Sequence, residues 1–69
     1  MNQDLNQNSE IKQLEVLLKA DDVARVLNIS RSFAFQLMQR GDIRTVKIGR
    51  SVRVRPADLE NFIVSNCSM

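Results

Sequence analysis

The apolar positions along the chain repeat at two different periods, and the change of period marks its elements. Ala20, Val23, Ala24 and Leu27 fall at i, i+3, i+4 and i+7, with Val26 on the flank, which predicts an amphipathic helix from Ala20 to Leu27. Asp21 and Asp22 sit in its first turn, where negative charge suits the helix dipole, but Lys19 offers no side-chain acceptor at the cap. Asn28 tolerates the left-handed conformation that ends a helix, and Ile29 is expected to plug the angle to the next one. Ser30 is a good N-cap for a second helix over Arg31–Gln39. Its buried stripe is Ala34, Leu37 and Met38, with Phe33 a partial contributor, and Gly41 is its stop. Residues 45–48 and 52–55 then read as two strands. Pro56 suits the first position of a third helix, whose stripe of Leu59, Phe62 and Ile63 is expected to pack over the hairpin and the first helix.

The ends are polar. Residues 1–15 read as a polar tail, disordered or weakly ordered; over residues 1–9 a lone Leu5 among Asn, Gln, Asp and Ser cannot bury enough surface to order it. Residues 10–18 form an extended or short-helical lead-in, residues 16–65 the folded unit, and residues 66–69 a frayed C-terminus. The sum is a mainly α domain with a small β-hairpin: three short helices plus a two-stranded wing, a winged helix-turn-helix.

The hairpin register follows from asking which residues share a face, since directly opposed residues do. A two-residue loop at Gly49-Arg50 pairs Lys47 with Val52 and Val46 with Arg53, mixing apolar and basic residues on each face. A three-residue loop, Gly49-Arg50-Ser51, pairs Ile48 with Val52, Val46 with Val54 and Lys47 with Arg53. One face is then apolar and the other basic, so the three-residue loop is expected. It sets two cations side by side, which normally weakens a sheet and which a phosphate backbone would relieve.

Composition narrows the chemistry. Sixty-nine residues make one small domain, and chains this short bury only about 60% of their unfolded surface. A single cysteine, Cys67, permits no internal disulfide, and there is no histidine. Neither a zinc site nor a nucleophile–base pair assembles from these parts, so no metal, no cofactor and no enzymatic activity are expected. Asp21, Asp22, Asp58 and Glu60 lie at helix starts, where they serve the dipole. No apolar run reaches the roughly 18 residues that would span a membrane, and one Cys with no apolar leader reads as cytoplasmic.

The net charge is only +2, but residues 31–55 hold Arg31, Arg40, Arg44, Lys47, Arg50, Arg53 and Arg55 against one acid, Asp42. That local excess is the electrostatic footprint of a polyanion binder. Arg31, Ser32, Phe35, Gln36 and Gln39 fall on the outward face of the second helix. Arg reads guanine and Gln reads adenine through bidentate bonds in the major groove. Phe35 is either additional core or an apolar contact to a thymine methyl or sugar. The candidate DNA-binding set is these five with Arg40, Arg44, Lys47, Arg50, Ser51 and Arg53.

Several stretches together resemble the excisionase-type family of small DNA-binding domains, related to the winged helix-turn-helix of MerR-type regulators. They are Leu17-Leu18 with Asp21-Asp22-Val23-Ala24-Arg25-Val26-Leu27, then Ile29-Ser30-Arg31-Ser32, Leu37-Met38, Gly41-Asp42-Ile43, Val46-Lys47-Ile48-Gly49-Arg50, and Arg53-Val54 with Asp58-Leu59. The resemblance implies that the second helix enters the major groove and that the Gly49-Arg50 wing follows the adjacent backbone or minor groove. It implies a bacterial, phage or mobile-element origin and association with the nucleoid. It also implies a recombination directionality factor that bends attachment-site DNA and helps a tyrosine recombinase excise an element. Three positions depart from the pattern: Lys19 replaces a hydroxyl cap, Asn28 stands where Gly is common, and Phe35 stands where Tyr is common, so any hydroxyl-to-phosphate contact is lost there.

Two other readings stand beside this one. A small transcriptional regulator has the same fold and the same chemistry. A protein-interaction adaptor without DNA binding has no need of Lys47 opposite Arg53. No long heptad seam is present, so cooperation is expected between neighbours on double-stranded DNA rather than through a coiled coil, with neither a membrane nor a small-molecule substrate as partner.

Overall fold

The computed structural model describes residues 16–68, so the polar tail expected over residues 1–15 lies outside the described residues. The described elements are α1 (Ala20–Leu27), α2 (Arg31–Gln39), β1 (Val46–Ile48), β2 (Ser51–Arg53) and α3 (Pro56–Ser65). Three helices and a two-stranded antiparallel hairpin make a mainly helical winged helix-turn-helix.

The first two helices fall where the 3.6-residue period put them. Lys19 lacks a side-chain acceptor, yet α1 is still capped: the Asp22 carboxylate accepts from the Lys19 backbone N–H at 3.0 Å. That is half of a capping box, and it offsets the missing hydroxyl. The Asp22 carboxyl is held below its usual range, chiefly by this bond. At the other end Asn28 is left-handed at φ 59°. The Asn28 N–H donates to Arg25 O and the Ile29 N–H to Ala24 O, the bond pair of a Schellman closure. Ser30 Oγ caps α2 by accepting from the Phe33 N–H at 3.1 Å.

The end of α2 repeats the same device with a different residue. Gly41 is left-handed at φ 83°, its N–H donates to Met38 O, and those of Asp42 and Ile43 both donate to Leu37 O. This turn reverses the chain tightly enough to drop Ile43 into the core. There it joins Val23, Ala24, Ala34, Leu37, Met38, Val54 and Leu59, with Leu18, Leu27, Ile29 and Phe62 packed around them. Ile43, Val23 and Val54 are the largest fully buried side chains. Ile63, expected in the buried stripe of α3, is exposed instead. In the first turn of the same helix Asp58 is buried beside Leu59.

The hairpin register differs from expectation. The observed pairs are Val46 with Arg53, Lys47 with Val52 and Ile48 with Ser51. The turn is therefore Gly49-Arg50, two residues long, and β2 begins at Ser51. Gly49 has φ 60° while Arg50 is not left-handed, the pattern of a II′ turn, whose twist matches that of the strands. A three-residue loop keeps one face wholly apolar, which suits a hairpin whose face is buried along its length. Only the root of the wing is covered: Val54 is fully buried and Val52 packs on the core, while Ile48 is exposed. Lys47 and Arg53 lie on opposite faces, and the expected repulsion between them does not exist.

The lead-in is extended at Leu18. It forms an isolated antiparallel bridge with Val54, through Leu18 N–H to Val54 O at 2.8 Å and Val54 N–H to Leu18 O at 2.9 Å. This bridge fixes the segment after β2 against the start of the fold.

Candidate nucleic-acid interface

Helix α2 presents Arg31, Ser32, Phe35, Gln36 and Gln39 to solvent. Unlike α1 and α3, its first turn contains no acid. The N-terminus of a helix is already electropositive, so Arg31 adds charge of the same sign. Asp21 of α1 supplies the balance: its carboxylate pairs with the Arg31 guanidinium, both side chains being more than half exposed. An exposed pair of this kind contributes about 0–1 kcal/mol, little enough for a competing anion to displace. Arg31, Ser32 and Phe35 also line a shallow pocket.

A groove of about 590 Å³ separates α2 from the hairpin. Phe35, Gln39 and Arg40 line it from the helix side and Lys47 from β1, with Thr45, Gly41, Met38 and Val52 on its floor and ends. Six residues of the expected set thus lie along this side, counting Arg31 and Ser32 beyond the groove's end. Phe35 is half-exposed, at 45%, and touches both the shallow pocket and the groove, so it is not additional core.

The cations divide by partner. Arg40 pairs with Asp42 and Arg55 with Asp58. Among the described residues, Arg44, Lys47, Arg50 and Arg53 make no ion pair. Apart from Lys19 ahead of α1, the uncommitted charge therefore sits on the wing and its approach. Arg50 and Ser51 are exposed beside the turn. Arg53 is half-buried, and its guanidinium folds back to donate to Val52 O at 3.0 Å. Arg44 is not brought to the α2 groove: it lines a separate one with Asp58, Asn61 and Phe62 of α3.

Asp58 lies in the first turn of α3, where its charge suits the dipole, and it has a second role. Its carboxylate receives two bonds from Arg55, Nε to Oδ2 at 2.7 Å and a terminal guanidinium nitrogen to Oδ1 at 3.0 Å. These bonds hold its carboxyl below the usual carboxylate range; burial opposes them, and the charges of Arg55 and Arg44 add to them. Arg55 is accordingly engaged by the fold through a buried partner. A group whose folded pKa is depressed stabilises fully above its unfolded value and loses that contribution as pH falls through the folded value. Wild-type stability is therefore expected to be insensitive to this group above about pH 4 and to fall below it. Asp58→Asn should be less stable at neutral pH, and its stability should approach that of wild type in acid. Urea midpoints measured from neutral pH down to acid test this; parallel curves for the two proteins would remove Asp58 from the acid transition.

Residues 17–66 match the model of a helix-turn-helix domain family. That family is one of small DNA-binding domains and includes excisionase-like proteins. The chain belongs to the helix-turn-helix domain family. The match begins beside the Leu18 bridge and ends just past α3, so it takes in both helices, the wing and the closing helix. No curated protein and no solved structure matches the chain. Membership makes DNA the partner that this surface suits. Among the described residues no helix is long and apolar enough to cross a membrane.

Sequence reasoning missed two residues that line this surface. Thr45 and Gly41 line the α2 groove; a hydroxyl and a bare backbone just ahead of a basic strand were the available signal. Ile48 was assigned to the buried face of the wing and is exposed.

Proposed function

We propose that this helix-turn-helix protein is a sequence-specific double-stranded DNA binder of the excisionase type, with α2 in the major groove and the wing on the adjacent backbone or minor groove. The observation that carries this reading is the pairing of a polar outward helix face with a hairpin whose cations lack carboxylate partners. Arg31, Ser32, Gln36 and Gln39 supply base-edge donors and acceptors, and Lys47, Arg50 and Arg53 supply phosphate contacts. In this reading the protein is not an enzyme. It acts in the cytoplasm of a bacterium, or of a phage's host, on nucleoid DNA. It serves as a recombination directionality factor, bending attachment-site DNA so that a tyrosine recombinase can excise a mobile element.

One such module covers a small interface, so useful specificity calls for several copies on repeated sites. Lys47, Arg50 and Arg53 with Arg31 give a counterion-release slope of roughly −4 for log affinity against log salt. A salt titration on a short random duplex measures that slope. Selection from a random duplex pool should then enrich closely spaced repeats, and permuted fragments bearing them should migrate anomalously. A flat salt response, or no complex with any duplex at low salt, overturns the DNA reading. A single site on straight DNA overturns the architectural part of it.

A further inference from the structure

The wing carries an apolar side chain that the domain leaves uncovered. Ile48 closes β1 opposite Ser51, beside the Gly49-Arg50 turn, and is 55% exposed. Val46, two residues back on the same face, is half-buried at the wing's root. Arg50 follows at the turn two residues on and Arg53 shares the face of Ile48 on the partner strand, and neither carries an ion pair among the described residues. Strand propensity does not require isoleucine here, because threonine serves a strand as well and keeps an exposed surface polar. A solvated tip would be better served by such a residue.

We propose that Ile48 is an apolar contact to duplex DNA, seated against the deoxyribose edge of the minor groove while Arg50 at the adjoining turn holds a flanking phosphate. The proposal rests on the DNA-binding reading above and adds to it a residue that contributes no charge. The surroundings select the occupant. A second copy of the chain would bring two positive wings together around one side chain, at a cost in repulsion. Duplex DNA offers the reverse: negative charge outside and apolar sugar faces within the groove. Apolar side chains of this size are used at such grooves to open base steps and bend the duplex.

The test uses the full chain, a short random duplex and the duplex enriched by selection. Ile48→Thr keeps the β-branch and the strand propensity and removes most of the apolar surface. Its affinity for the enriched duplex is expected to fall about five- to tenfold, the value of covering roughly half an isoleucine side chain. Its salt slope should match wild type, because an apolar contact releases no counterion. Its bend should be smaller and its melting temperature unchanged. Arg50→Ala, measured alongside, should make the slope shallower by about one. Ile48→Val, which keeps the apolar surface, should retain most of the affinity and serves if the Thr variant folds poorly.

Equal affinity and equal bending for Ile48→Thr and wild type overturn the proposal. So does a lowered melting temperature together with a shallower slope, which makes Ile48 a structural member of the hairpin. Self-association of wild type without DNA that Ile48→Thr abolishes overturns it in favour of a second copy. A wild type that binds no duplex defeats the underlying reading instead, and is told apart because the variants are then irrelevant to binding.

Discussion

Ile43→Ala is expected to lower the unfolding free energy by about 2–5 kcal/mol, the range for truncating a buried aliphatic side chain to alanine. Ile43 is fully buried, and no buried side chain of the described core is larger. It follows the left-handed Gly41, and its N–H is held on Leu37 O at 3.2 Å. That bond keeps the backbone from shifting to fill the space, which favours the upper part of the range. Native domains have only about 5–15 kcal/mol in total, and one of this length lies toward the bottom. The variant should therefore be partly unfolded at ordinary temperature, whereas truncation of the exposed Val26 or Val64 should shift stability by no more than about 0.5 kcal/mol. Urea denaturation followed by circular dichroism measures both. A loss below about 1 kcal/mol at Ile43 would mean that the core closes without it.

Arg31→Ala is expected to weaken binding to the preferred duplex by about 1–3 kcal/mol and to relax the preference at one base pair, while random DNA loses much less. Arg31 opens α2 with its side chain 77% exposed, at the helix end that approaches a groove first. Its hold on Asp21 is weak enough to be exchanged for a base edge. Arg50→Ala at the wing should act in the opposite manner, weakening preferred and random duplexes alike, because phosphates carry no sequence. Affinities of both variants for both duplexes, at one fixed salt concentration, give four numbers that separate the roles. If Arg50→Ala erased the preference and Arg31→Ala left it intact, the assignments to helix and wing would be reversed.

The helices were legible because each is announced twice, by an apolar stripe and by a residue suited to its end. Ser30, Asn28, Gly41 and Pro56 all act at the boundaries where their chemistry put them. The wing was legible as a hairpin but not in its register. Alternation identifies faces only when a face is buried throughout, and a projecting hairpin is buried only at its root. Gly49 carried the better signal, since a glycine at the first turn position is what a tight II′ turn requires. Ile43 was passed over because a lone apolar residue between Asp42 and Arg44 has no periodicity to reveal it. Asp58 was legible as an acid near a helix start; that Arg55 would fold over it depends on how α3 sits on the core, which no local pattern encodes. Of the candidate surface, the outward face of α2 could be read directly from its helical period. Which cations stay uncommitted could not, because Asp21 reaches Arg31 from another helix.

The bridge between Leu18 and Val54 bears on how the fold assembles. Most of the contacts that build this domain are local: α1 on α2 across a short turn, and β1 on β2 across two residues. Local pairs of this kind close quickly, because little chain must be ordered first. Leu18 and Val54 stand at opposite ends of that sequence of events, and joining them closes a loop containing both helices and the hairpin. The bridge can form only when everything between is already near its place, so it registers completion. Formed last, it is also the contact that can open while the rest stays folded, so amide exchange at Leu18 and Val54 is expected to be faster than at the buried stripe of α2 and to report release of the lead-in.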